Sequence, residues 1–373
     1  MGTLDKYLFS CVRDVEELSV YLPLDDGEKR RIGEVITRYP MCIPPYYLGL
    51  INKENLNDPI RRICLPGLWE ISDSGVEDTS GEGSNTVIRG MQHKYKQTAL
   101  ILTTNQCSMY CRFCFRKRMV GYSGEEIADN LEEMASYVAE HSEINNVLLS
   151  GGDALVNTNT AIEAYLRAFS GISTLDFIRI GTRTPVVLPM RIYEDSELLS
   201  ILKSYCERKQ IIIVTHFNHP HEVTEQAKRA VDALKDCGCV VRNQTVLLRG
   251  VNDHPDVLAN LLNQLVSIGV MPYYVFQCRP ARGAADAFQV PLYRGSFIVE
   301  NAKRMMSGQA KAFRYCMSHV TGKIEILGAA GGGNMLFRYH QAKSKADHSR
   351  IFTVKVEPDQ CWLDKIPAEK KAD

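Results

Sequence analysis

Two kinds of hydrophobic pattern divide this chain. From Thr98 onward, short apolar runs alternate with longer stretches whose apolar residues recur every three or four positions. The runs Ala99–Thr104, Asn146–Ser150, Phe177–Gly181, Ile211–Thr215, Val240–Leu247 and Pro272–Phe276 predict strands. The stretches near Glu125–His141, Asn159–Phe169, Asp195–Lys209, Val223–Asp236 and Pro255–Ile268 predict helices. Strands alternating with helices of that length build βαβ units around a parallel sheet. Ile211-Ile-Ile-Val214 is apolar at every position, as a parallel strand covered on both faces must be. Six such units predict an α/β fold, a partial (β/α)6 barrel over residues 96–295. An open Rossmann-type sheet is the alternative, but no glycine fingerprint follows the first strand. In barrels of this kind the chemistry gathers at the C-terminal ends of the strands.

The flanks read differently. Residues 1–95 predict a mostly helical extension, with helices over Val12–Tyr21 and Glu28–Arg38 and breaks at Pro40, Pro44 and Pro45. Ser72–Asn85 is rich in Asp, Glu, Ser, Thr and Gly and predicts a surface loop with solvated acids. Residues 296–373 predict a β-rich cap over the barrel mouth. It opens with a helix over Phe297–Met306. Strands follow at Lys323–Leu327 and Arg350–Val356, with a glycine-rich turn at Ala329–Asn334.

Composition narrows the function. Lys plus Arg and Asp plus Glu number 44 each among 373 residues, so bulk charge gives no hold on nucleic acid. Twelve cysteines without a regular framework fit a reducing compartment. No basic-then-apolar targeting pattern opens the sequence, and no apolar run reaches the ~18 residues of a membrane span. A cytoplasmic protein with no membrane partner is expected.

The chemistry centres on Cys107-Ser-Met-Tyr-Cys111-Arg-Phe-Cys114, directly after the first barrel strand. Iron–sulfur clusters normally take four thiolates. Three at this spacing leave one iron open, and an open coordination position marks a catalytic metal. A zinc knuckle is the rival, but Cys237 and Cys239 have the wrong spacing to complete one.

The string Thr103-Thr-Asn-Gln-Cys-Ser-Met-Tyr-Cys-Arg-Phe-Cys-Phe-Arg-Lys-Arg118 resembles the lysine 2,3-aminomutase family of radical S-adenosylmethionine (SAM) enzymes. So does Thr215-His-Phe-Asn-His-Pro220, and the resemblance runs over about residues 40–310. It implies a radical SAM barrel, with a [4Fe-4S] cluster on Cys107, Cys111 and Cys114. SAM chelates the open iron and is split into methionine and a 5′-deoxyadenosyl radical. The resemblance also assigns SAM contacts to Phe113, to Ser150-Gly151-Gly152-Asp153, to Thr182 and Arg183, to His216, and to Gln244. It makes Arg116 the arginine for a substrate carboxylate, which suits a guanidinium fork.

Departures from the family are as informative. The family holds pyridoxal phosphate (PLP) on a lysine after a glycine run, and here Met335 stands there. An amino shift needs an aldehyde carrier, so the expected enzyme works without PLP. Lys323 is the alternative anchor. Lysine-specific members place an Asp where Arg279 stands, and a second acid where Gly328 stands. Reversed charge rejects lysine and favours an anionic substrate. His254 and the single C-terminal Cys361 replace the family's zinc cysteines, so no zinc is expected. Cys278 and Cys316 are candidate hydrogen-atom donors, and Arg338-Tyr339-His340-Gln341 supplies a candidate substrate arginine and a catalytic tyrosine.

These features predict a radical SAM enzyme that abstracts hydrogen from a carboxylate-bearing, amino-acid-like substrate. A flavodoxin or ferredoxin would supply the electron, and a homo-oligomer is compatible. The alternatives are a PLP-dependent, glutamate-like 2,3-aminomutase with a relocated lysine, and a non-catalytic iron–sulfur electron-transfer protein.

Overall fold

The computed structural model describes residues 3–367. Its frame is one ladder of twelve strands in chain order: β1 (Thr86–Ile88), β2 (Met91–Tyr95), β3 (Thr98–Thr104), β4 (Asn146–Gly151), β5 (Phe177–Gly181), β6 (Gln210–Thr215), β7 (Val240–Leu247), β8 (Met271–Gln277), β9 (Arg314–His319), β10 (Gly322–Gly331), β11 (Asn334–Ala342) and β12 (Ile351–Lys355). Strands β3 to β8 run parallel, and β9 joins β8 in the same sense. Helices Leu131–Glu140, Asn159–Ser170, Ser196–Cys206, Glu225–Asp236, Pro255–Ser267 and Leu292–Arg304 cross between successive parallel strands. This is the partial (β/α)6 barrel. The antiparallel strands β1–β2 on one side and β10–β12 on the other continue its sheet.

The helices form where the sequence supplies both a cap and an apolar stripe. Thr224 accepts a hydrogen bond from the Ala227 amide, and Ala227, Ala230, Val231 and Leu234 then face the sheet at helical spacing. Thr158 and Asp195 cap the helices after β4 and β5 in the same way. Beneath them Ile178, Ile211, Ile213 and Val241 are shut off from solvent.

Several boundaries differ from expectation. The helix expected from Glu125 begins at Leu131, because Asn130 caps it and the residues before it turn back onto β3 through the Ala128 amide and the Leu102 carbonyl, 2.9 Å apart. The helix expected over Val12–Tyr21 begins at Val15 after an Asp14 cap, while Val12 bridges to Ile43. The helix expected at Phe297 starts at Leu292. Ser72–Asn85 is not merely a solvated loop: it carries a short helix, Glu82–Asn85, in which Glu82 is buried. No helix among the described residues is long and apolar enough to cross a membrane.

Candidate active site

The loop after β3 carries the three cysteines, and the N-terminal extension holds it from behind. Its backbone bonds from Tyr110 to the Cys42 carbonyl at 3.0 Å and from Arg112 to the Ile63 carbonyl at 2.9 Å. Arg112 is itself buried between Glu70, at 3.0 Å, and the carbonyls of Pro40 and Tyr39. Lys117 pairs with the same Glu70. A buried ion pair with its remaining hydrogen bonds satisfied fixes geometry even where its net stability is small.

On the barrel side, β4 ends in Ser150-Gly-Gly-Asp153. Gly151 has φ +119°, and a Cβ there would lie 2.3 Å from the Thr104 carbonyl oxygen. A Cβ on Gly152 would lie 2.1 Å from the Gln106 carbonyl oxygen. The glycines are therefore required first by the cysteine loop, whose backbone packs directly on theirs. Asp153 bonds onward to the next strand end. Its carboxylate takes the Thr182 hydroxyl at 2.5 Å, the Arg183 amide at 2.7 Å and the Thr184 hydroxyl at 3.1 Å. Asp153 and Thr182 thus tie two loops together at the cavity wall.

Arg183 is held on every side. It reaches Glu222 at 2.5 Å, the Tyr47 hydroxyl at 3.2 Å, the His216 carbonyl at 3.2 Å and the Cys111 sulfur at 2.7 Å. Glu222 also accepts the Asn218 and His219 amides and so shapes the loop that presents His216. Asn243 fixes the same loop through the Phe217 amide and carbonyl. Its neighbour Gln244, on the opposite face of β7, lines the cavity instead.

One cavity of about 350 Å³ collects these strand ends. Cys107, Cys111, Cys114, Phe113, Gly151, Gly152, Asp153, Thr182, Arg183, His216, Gln244, Arg116, Cys278, Arg279 and Lys323 all line it, and so does Ser150. Three expected residues do not. Arg338 pairs with Glu325 at 2.5 Å on another part of the sheet, and Tyr339 is buried with its hydroxyl 2.8 Å from that of Thr321. A register shift between Lys323 and Ile324 separates them from the cavity-facing Lys323. Cys316 is buried outside the cavity as well.

Arg116 lines the cavity but already has a carboxylate. Its Nε lies 2.9 Å and one Nη 2.7 Å from Glu82, and the other Nη meets Ser150 Oγ at 3.2 Å and the Gly151 carbonyl at 3.1 Å. A substrate carboxylate would have to displace these partners. Arg279 is different. Its guanidinium lies 3.8 Å over the Phe115 ring and, among the described residues, bonds only to the hydroxyls of Ser80 and Thr79.

The cavity suits the groups that the three thiols imply. No three His, Cys, Asp or Glu side chains converge on a single-ion position among the described residues. An iron–sulfur cube takes one thiolate per iron, so its ligands stand around it rather than meet at a point. Five buried polar atoms on the cavity residues have no protein partner: Gln92 Nε2, the Tyr95 hydroxyl, Arg179 Nε, Thr215 Oγ1 and His216 Nε2. Native buried polar groups are almost always satisfied, so these point to a polar ligand. Burial, and then Arg183, push the His216 pKa down to about 3, which leaves a neutral ring that can accept or donate one hydrogen bond. The position after the glycine run fits no aldehyde carrier, because Met335 is buried in the sheet core and does not reach the cavity.

Sequence reasoning missed Glu70, Glu82 and Glu222. Glu70 and Glu82 position Arg112 and Arg116 of the cysteine loop, Glu222 positions Arg183, and nothing local distinguishes any of the three from a solvated acid.

The radical SAM superfamily profile matches residues 101–262. A putative L-lysine 2,3-aminomutase of Aquifex aeolicus (strain VF5) is 38% identical over 366 residues, covering 98% of this chain and 96% of that protein. The L-lysine 2,3-aminomutase of Clostridium subterminale is 37% identical over 325 residues, 86% of this chain and 74% of that one. The glutamate 2,3-aminomutase of Clostridioides difficile (strain 630) is 36% identical over 305 residues, 81% and 71% respectively. The fold and the cysteine loop define a radical SAM enzyme, a class that works with a [4Fe-4S] cluster and SAM. Within that class the chain belongs to the lysine 2,3-aminomutase family.

Proposed function

We propose that this enzyme takes a hydrogen atom from an anionic, carboxylate-bearing amino-acid-like substrate, without an aldehyde carrier at the position after the glycine run. The observation that supports this most is the charge of the cavity. Lys94, Arg179, Arg279 and Lys323 line it, and among the described residues none of the four has a carboxylate within 4.0 Å. Arg179 and Arg279 carry the fixed charge, and unpaired cations in a screened cavity are costly unless a ligand brings the counter-charge. A lysine side chain would bring the wrong sign.

Cys107, Cys111 and Cys114 would hold the cluster, the His216, Gln244 and Gly151–Gly152 wall would hold SAM, and the two together would supply radical hydrogen abstraction. The protein's own groups do the rest. Arg279 orients the substrate anion, the Phe113 and Phe115 rings line the site, and the Cys278 thiol returns a hydrogen atom. Burial pushes that thiol's pKa up to about 12, so it stays protonated. A flavodoxin- or ferredoxin-type reductant supplies the electron. A glutamate-like 2,3-amino shift is the second reading, favoured by the free Lys323 amine described below.

The test is anaerobic reconstitution with SAM and dithionite against a panel of acidic amino acids and other carboxylates. A substrate-dependent rise in 5′-deoxyadenosine with one of them supports the reading. A rise only with cationic or neutral compounds, lysine included, ends it.

A further inference from the structure

Lys323 is set apart from the other basic groups of the cavity by having nothing to bond. It sits on β10 opposite Ser318 of β9 and Gln341 of β11, and all three face the cavity. Its Nζ stands 4.2 Å from the centre of the Tyr274 ring, 5.7 Å from Phe276 and 5.9 Å from Tyr95. Among the described residues no carboxylate lies within 4.0 Å of it and no oxygen accepts a hydrogen bond from it. The contrast with Lys94 is direct. The Lys94 amine is engaged by the His319 carbonyl at 2.6 Å and the Ser80 carbonyl at 3.2 Å.

An ammonium in an aromatic-walled cavity is poorly solvated, and Arg179, Arg279 and Lys94 add like charge around this one. Burial foremost brings the Lys323 pKa down to about 7; Cys316, next in size, pulls it up, and Arg179, Arg279 and Lys94 press it down again. A free amine is therefore well populated at neutral pH. Unprotonated, screened lysine amines are nucleophiles toward carbonyl carbon.

We propose that Lys323 captures an aldehyde or ketone in this cavity as an imine. The nitrogen lone pair forms the C–N bond, and both amine hydrogens leave with the carbonyl oxygen as water. No oxidant or reductant is consumed. Two sources share the chemistry. One is a pyridoxal-type aldehyde, entering from β10 rather than from the glycine run where Met335 closes the usual place. The other is a keto group on the substrate or product itself. An anionic tail on either finds Arg279 in the same cavity. The inference rests on the reading of this cavity as the reaction chamber, but its test needs neither cluster reduction nor turnover.

Full-length protein is incubated with pyridoxal 5′-phosphate in one arm and 2-oxoglutarate in the other, reduced with borohydride, digested and mapped by mass spectrometry. Reduction turns an imine into a stable secondary amine on the lysine that formed it. The expected result is label at Lys323 in at least one arm, above that at every exposed lysine, kept in Lys94→Met and lost in Lys323→Met. The arm that labels identifies the carbonyl source. Label confined to Lys94 or surface lysines, or absent from Lys323 in both arms, overturns the proposal. The wild-type map alone decides this if a variant fails to fold. Labelling without 5′-deoxyadenosine would leave the amine intact and count only against the proposed reaction.

Discussion

Replacing Glu82 by Gln tests whether the acidic loop is part of the site or only its surroundings. Glu82 accepts Arg116 at 2.7 and 2.9 Å and Arg118 at 2.6 Å, and its side chain is 4% exposed. Glutamine keeps the shape, removes the charge and turns an NH2 toward arginine donors. Breaking a buried pair by removing one partner costs about 3–5 kcal/mol. Arg118 softens the loss because its side chain is 17% exposed and keeps Glu126 at 2.7 Å. Arg116 has no second carboxylate among the described residues, so a cost of about 3 kcal/mol is expected, on the order of 5 °C in melting temperature. Glu126→Gln is the control, a partly exposed pair for which less than about 1 kcal/mol is expected.

The pH dependence has a definite sign. Burial alone would raise the Glu82 pKa, but Arg116 and Arg118 outweigh it and hold the carboxyl well below the usual range. A depressed folded pKa gives stability that is complete above the unfolded value, ~4.3, and is lost as pH falls toward the folded one. The wild-type advantage over Glu82→Gln should therefore hold from pH 7 to about 5 and shrink in stronger acid. Melting curves of the two variants and wild type, at one scan rate and several pH values, read this directly. Equal losses for Glu82→Gln and Glu126→Gln, or a gap that does not close in acid, would refute the reasoning.

Three further outcomes follow. Gly152→Ala should lower iron content with all three cysteines in place, because its Cβ would lie 2.1 Å from the Gln106 carbonyl oxygen and push the cysteine loop aside; iron analysis after reconstitution checks it. Arg279→Met should lower kcat/KM for the anionic substrate roughly 10- to 100-fold, the worth of a charge-assisted hydrogen bond, while leaving substrate-free thermal stability unchanged or higher. Arg338→Ala, outside the cavity lining and paired with Glu325, should leave 5′-deoxyadenosine formation at the wild-type rate.

The barrel was legible because its strands are buried on both faces and its helices carry caps and stripes, both local signals. The antiparallel flanks were harder. Asn334–Ala342 alternates from buried Met335 through Phe337 and Tyr339, yet its polar residues drew the eye as a candidate site. Period-two reasoning cannot place them, because a bulge resets which side chains face inward and no residue type announces it. The cysteines stand out by their spacing, and the glycines and His216 through the resemblance of their strings to the family. Glu70, Glu82 and Glu222 could not, since a carboxylate becomes structural only when a distant arginine arrives beside it. Arg112 is 42 residues from Glu70, Arg116 is 34 from Glu82, and Arg183 is 39 from Glu222.

The grip of residues 39–70 on the cysteine loop bears on biogenesis. This clamp is translated before the thiols it will hold. When Cys107 to Cys114 emerge, the carbonyls of Tyr39, Pro40, Cys42 and Ile63 and the Glu70 carboxylate already exist to receive Tyr110 and Arg112. Iron delivery can then meet a loop already bent to shape, and a lesion in the clamp would surface as poor metallation in a chain whose cysteines are all intact.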